Sequence, residues 1–225
     1  MPENEVDNSI ALSVNSAIER FRTVLLAVLV VAVLAVVGIV IGVIAHGKSV
    51  SSGIEQLDTI EFVLLKDASS LSESDISQRL QTAENQLLPL SKKGGTVGSR
   101  ASLLLADVYF QQEKFEQACD SWVRAAQLKK NAYTTYISYY NAGVASEQLG
   151  ELDKAISYYE SASKDDEFPL VDHALFSLGR VQEGKGDFSA AVSAYTRLND
   201  IRPSSKWANT AKSRMIALKQ SGAIE

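Results

Sequence analysis

The sequence predicts an all-α protein: a single N-terminal transmembrane helix followed by an α-solenoid of helix hairpins, ended by a C-terminal capping helix. Three observations carry that expectation. Residues 24–45, VLLAVLVVAVLAVVGIVIGVIA, run for 22 positions without a charge, about 33 Å as a helix and long enough for a hydrocarbon core of roughly 30 Å. Three alanines, Ala118, Ala155 and Ala191, recur in one setting at spacings of 37 and 36 residues, and self-similarity on that scale marks a repeat array. No segment shows the two-residue alternation of a convincing strand.

Taken in order, residues 1–23 form a short tail that ends in Arg20 and Arg22, against Lys48 alone close behind the span. That bias sets the tail in the cytoplasm and the rest of the chain outside, in the periplasm of a Gram-negative-type bacterium, because topology follows Lys and Arg rather than net charge. Val43-Ile44-Ala45 passes as a cleavage site, but the apolar run exceeds the roughly 7 to 15 residues of a signal sequence, so a retained anchor is expected. The single cysteine, Cys119, lies far downstream, which argues against a lipoprotein and leaves no internal disulfide to report a redox compartment. Residues 42–49, GVIAHGKS, spell the phosphate-loop formula. The formula needs a preceding strand and a free backbone, and here it falls on the last turn of a span.

Residues 46–98 read as a degenerate helix pair that caps the solenoid. Ile54, Leu57, Ile60, Val63 and Leu64 recur at helical spacing, and so do Ile76, Leu80, Leu87 and Leu88. Ser72 with Asp75 three residues on marks a helix start, and Gly94-Gly95 a stop. Residues 99–203 carry three hairpins. Each repeat alanine has an aromatic or leucine three residues before it (Phe115, Leu152, Phe188), an aromatic four residues after it (Trp122, Tyr159, Tyr195) and a small residue twelve before it (Ala106, Gly143, Gly179). Small residues let two helix backbones approach, and bulky neighbours fill the flanking holes. Residues 204–225 form the closing helix, with Trp207, Ala211, Met215 and Leu218 on one stripe, as a repeat array needs to end in solvent.

This pattern resembles the tetratricopeptide repeat. Residues 172–205 match best, with Leu178, Gly179, Gly186, Phe188, Ala191, Tyr195 and Pro203 in step. Residues 136–169 follow with Gly143, Gly150, Leu152, Ala155, Tyr159 and Ala162, and residues 99–132 keep Tyr109, Phe115, Ala118, Trp122 and Ala125. The first repeat departs from the pattern at Glu113, where a turn glycine belongs, and lacks the closing proline. The whole layout is similar to the YfgM-like ancillary subunit of the bacterial Sec translocon, and ASLLLADVYFQQEKFEQACDSW, residues 101–122, looks like that family's first clear repeat. The resemblance implies a protein-interaction scaffold whose partners are the translocon or periplasmic chaperones, with one span in the membrane.

In the repeat family one face of each first helix binds partners, at the second, fifth, ninth and twelfth repeat positions. Here these are Arg100, Leu103, Asp107 and Phe110, then Ile137, Tyr140, Val144 and Glu147, then His173, Phe176, Arg180 and Glu183. Well-known relatives grip a terminal carboxylate with Lys and Asn at the fifth and ninth positions. This chain has Leu103 with Asp107, Tyr140 with Val144, and Phe176 with Arg180 instead, so the clamp is missing and an aromatic and aliphatic floor takes its place. Such a floor suits an apolar or amphipathic partner segment; alternatively, these side chains pack within the solenoid.

Nothing in the sequence supports catalysis, a cofactor, a metal or a small-molecule substrate. His46 and His173 are the only histidines, neither in a metal spacing, and Asp165-Asp166-Glu167 reads as a solvated inter-helix loop. A net charge of −5 with no basic stripe beyond the pairs Lys92-Lys93 and Lys129-Lys130 excludes a nucleic-acid role. A scaffold in envelope assembly or cell division is the second reading.

Overall fold

The 22-residue apolar run and the helical pattern that follows it are not separate helices. In the computed structural model, which describes residues 3–67, 70–129 and 133–224, they lie on one uninterrupted helix, α1 (Glu3–Leu65). Neither proline nor a turn signal interrupts those residues, so the helix runs from the tail through the apolar segment and into the first hairpin. Its apolar stretch is long enough to cross a membrane and is unburied by the chain itself. The phosphate-loop string sits inside α1, where its amides are spent on the helix and none is left to cradle an anion.

By internal contacts the chain divides after Ser52. The second unit, Gly53–Glu225, is built from the last turns of α1 and from α2 (Glu73–Ser91), α3 (Gly95–Gln111), α4 (Phe115–Leu128), α5 (Tyr133–Gln148), α6 (Leu152–Ala162), α7 (Val171–Gly184), α8 (Phe188–Ile201) and α9 (Lys206–Gln220). Consecutive helices from α2 to α9 pack on one another in chain order. Among the described residues there is no strand. Lys130 lies outside the described residues.

The ends of the helices follow from local chemistry. Ser72 accepts from the Asp75 amide at 3.2 Å, Asp187 from the Ala190 amide at 3.0 Å and Ser205 from the Trp207 amide at 3.0 Å, each satisfying a donor that the first turn leaves free. Gly94-Gly95 serves as a link rather than a stop: α2 already ends at Ser91, and Gly95, at φ +61°, opens α3 four residues ahead of the expected repeat start. At the hairpin turns Gly150 (φ +72°) and Gly186 (φ +80°) take the left-handed conformation that costs glycine nothing. Glu113 takes it too, at φ +60°. The missing turn glycine of the first repeat is thus a side chain held in a conformation that disfavours it.

The core is where the repeat residues meet. Ala118, Ala155 and Ala191 are all fully buried, and so are Tyr159 and Tyr195. The small residue twelve positions earlier faces the aromatic: a Cβ on Gly143 would stand 2.7 Å from the Tyr159 ring, and one on Gly179 2.4 Å from the Tyr195 ring. Phe168, on the α6–α7 connection, is buried beneath Tyr133 and Tyr136 at ring distances of 5.7 and 5.6 Å. The acidic loop therefore has a hydrophobic plug at its end, and Asp166 is tied to Arg197 at 2.7 Å. Cys119 is a free, buried thiol at 3.7 Å from the Ser146 hydroxyl, and burial raises its pKa.

Three substitutions in the full-length chain, followed by thermal melting in detergent, check this geometry. Gly179→Ala has to displace the Tyr195 ring and should cost about 1–3 kcal/mol, while Gly184→Ala in the same helix meets nothing within 4 Å and should not lower the melting temperature. Glu113→Gly should stabilise the chain by about 0.5–1 kcal/mol by relieving the left-handed turn, a rise of roughly 2–4 °C.

Candidate functional site

First helices meet across the second helices that separate them in the chain: α1 meets α3, and α5, α7 and α9 meet in series. Contacts that skip the intervening helices show it. Arg100 of α3 reaches Asp58 and Glu61 of α1, each at 2.6 Å. Arg180 of α7 reaches Glu147 of α5 at 2.6 Å, Tyr140 of α5 meets His173 of α7 at 6.5 Å between rings, and Phe176 of α7 packs on Trp207 of α9 at 4.7 Å. The twelve residues expected at the binding positions have different surroundings in the structure.

Six are polar, and most of these are engaged within the protein. A three-residue unit occurs twice. Tyr159 Oη donates to Glu147 at 2.5 Å, and Glu147 accepts from Arg180 of the next hairpin at 2.6 Å. One repeat later Tyr195 Oη donates to Glu183 at 3.0 Å, and Arg214 of α9 binds the same carboxylate through two nitrogens, Nε at 3.1 Å. The buried tyrosine donates in its neutral form, and burial beside a carboxylate raises its pKa in both units. The glutamates hold the pKa of Arg180 and Arg214 above the ordinary value. The second hairpin is thereby clipped to the third, and the third to α9, by charge-assisted hydrogen bonds. His173 Nδ1 lies 2.9 Å from Asp172, and Asp172 in turn accepts from the Ser205 hydroxyl at 2.6 Å; these hydrogen bonds hold the Asp172 carboxyl below its ordinary pKa against the opposing effect of burial.

The apolar members are half-buried. Ile137, Tyr140, Val144 and Phe176 rest on the core while keeping one side open. Tyr140 leans on Tyr159 (5.7 Å) and Phe176 on Tyr195 (5.9 Å). Phe110 is taken up by Phe115 at 5.3 Å and Trp122 at 5.6 Å. The floor therefore both packs and faces solvent. Trp207, Arg214, Asp58 and Glu61 also take part in these contacts and were missed in the sequence. The first two stand 34 residues after His173 and Arg180, so the repeat period itself would have found them had α9 been read as another first helix.

Asp107 stands apart. It occupies the slot that holds Arg180 in the third hairpin and Arg214 in α9, and no ion pair in the structure includes it. Asp107 is an exposed residue whose carboxyl lies beside Trp122 and Glu61, which takes away part of its hydration. That loss of hydration raises its carboxyl from 3.8 to about 6, with nearby Glu61 adding to the rise and the Trp122 N–H opposing it. An acid whose pKa is raised on folding binds its proton more tightly in the folded state. Its destabilising effect is therefore complete above about pH 6 and gone below its unfolded value near 4. Asp107→Asn should raise the melting temperature of the full-length chain at pH 7.5 and leave it unchanged at pH 4. An equal rise at both would assign the effect to packing.

With this geometry in place, a family model described as tetratricopeptide repeat matches residues 140–206. Those residues carry the tetratricopeptide-repeat pattern. A second model, described as a domain of unknown function (DUF6340), matches residues 105–171. Over 130 residues the chain is 33% identical to a TPR repeat-containing protein of Treponema pallidum (strain Nichols), an alignment that covers 58% of this chain and 54% of that one. It thus spans about half the length of the curated relative it matches. Among solved structures, the apo form of RapI superposes with a TM-score of 0.54 at 14% identity, covering 74% of this chain and 60% of RapI. MamA protein gives a TM-score of 0.46 at 21% identity over 70% of this chain and 87% of MamA. The RapI likeness is one of fold, an independent instance of stacked helix hairpins. Repeats of this type suggest a protein-interaction scaffold. Among the described residues no group of three or more His, Cys, Asp or Glu could hold a metal.

Proposed function

We propose that this chain is a membrane-anchored scaffold that holds a partner protein on the first-helix face of its tetratricopeptide repeats and assists protein export or folding at the bacterial inner membrane. The observation that carries the reading is the half-open floor of Leu103, Ile137, Tyr140 and Phe176, beside arginines already engaged by carboxylates. Stacked hairpins curve toward their first helices, and an aromatic floor on the inside of that curve supplies the buried anchors that dominate partner binding. Residues 24–45 are the anchor, residues 46–98 the capping pair, 99–203 the three repeats and 204–225 the closing helix. Arg20 and Arg22 before the span, against Lys48 after it, favour a cytoplasmic tail and a periplasmic repeat unit. The translocon or periplasmic chaperones are the partners that the YfgM-like resemblance implies. No catalytic role is proposed.

Position-dependent crosslinking in the full-length chain in its own membranes tests this. A photo-reactive phenylalanine analogue at Tyr140 or Phe176 should trap a discrete partner, and the same group at Ser157 or Ser193, exposed on second helices, should not. Capture from the second helices alone would overturn the groove. A reporter active only outside the cytoplasm should be active when fused after Glu225 and silent before the span; the reverse would remove the periplasmic assignment and the export role with it.

A further inference from the structure

The first hairpin breaks the clip that the other two share. In hairpins two and three the second-helix aromatic is a tyrosine whose hydroxyl donates to a glutamate, and that glutamate holds an arginine from the next first helix. The matching three positions in the first hairpin are Trp122, Phe110 and Val144, with no carboxylate and no cation. Trp122 is 97% buried, and its Nε1 makes no full hydrogen bond, an arrangement that costs free energy. One turn before Phe110 stands Asp107, near enough for the indole N–H to act on its carboxyl. This buried indole donor thus faces a carboxylate that no cation among the described residues neutralises.

The charge balance points the same way. Arg100, Arg180 and Arg214 are each engaged by carboxylates, and Arg100 faces both Asp58 and Glu61. What is left over is negative and concentrated where α1 and α3 meet. Leu103 and Phe110, one turn to either side of Asp107, are half-buried and offer apolar surface for an alkyl stem and a ring beside a cationic head. We propose that Asp107 is the docking point for a lysine or arginine side chain of a partner segment, whose flanking apolar residues lie on the floor of Tyr140 and Phe176. This rests on the groove reading above and adds the sign and place of the charge. Its chemistry is opposite to the carboxylate clamp of the well-known relatives, since the slot that binds an anion there holds an acid here.

A synthetic peptide array tests both levels. The probes are 15-residue peptides with apolar residues around one central position that is lysine, arginine, glutamine or glutamate, read with the full-length chain in detergent. The wild-type chain should bind lysine and arginine peptides at least fivefold better than their glutamine counterparts. Asp107→Asn should abolish that preference while retaining binding to the apolar frame, and Asp107→Glu should keep it. Equal binding of lysine and glutamine peptides by the wild type, or a preference that survives Asp107→Asn, overturns the assignment. A photo-crosslinker at Tyr140 separates this failure from that of the groove: capture of charge-blind peptides from Tyr140 leaves the groove standing and removes Asp107, and bound peptides that escape Tyr140 remove the groove itself. No binding to any peptide overturns both.

Discussion

The inner face depends on one contact: an aromatic ring from the second helix of a hairpin seated on a position of the first helix that has no side chain. Tyr159 over Gly143 and Tyr195 over Gly179 lie too close for even a methyl group. That approach sets the distance between the two helices and aims each tyrosine hydroxyl at the glutamate on the inner face. The arginine of the next hairpin then has a fixed carboxylate to bind. Packing within a hairpin and docking between hairpins are therefore one device, in which close backbone approach orients a polar tip and the polar tip orients a charge. In a quasi-one-dimensional array, where each unit touches only its neighbours, such a device can be repeated without adjustment elsewhere.

In the first hairpin Trp122 takes the tyrosine's place and Ala106 the glycine's. Trp122 is buried as deeply as the two tyrosines and brings more apolar area, and Phe110 and Phe115 close around it. The larger ring makes a tighter apolar cluster and gives up the polar link to the next hairpin. Its N–H makes no full hydrogen bond, and Asp107 beside it has no ion-pair partner among the described residues. These are the features that a chain selected for stability alone would not keep, and strained or unpaired groups of this kind gather where a protein binds something. The left-handed Glu113 at the turn of the same hairpin is a second local cost, though nothing in the structure ties it to binding.

Much of this was legible in the sequence, because helical periodicity, the repeat period and an uncharged run of membrane length are one-dimensional signals. The alanine spacing placed all three hairpins, and the aromatic four residues on named residues that became part of the core. The signals failed where the deciding quantity was a distance between elements. Gly94-Gly95 reads as a stop, yet the helix before it had already ended and the pair opens the next one. The span and the helical pattern behind it read as two elements, but a glycine inside a helix only weakens it, and the helix continues.

What the sequence alone determined is the class of the protein: helix hairpins in tandem, with an apolar helix at the N-terminal end, since composition and period suffice for both. Which charges are free was decided only by the tertiary structure. Arg180, Glu147, Glu183 and Arg100 look as available in the sequence as Asp107 does. Whether a charge is spent depends on a partner some 30 to 40 residues away being brought within about 3 Å. Helix packing sets that distance, and the residue's own neighbours in the chain carry no record of it.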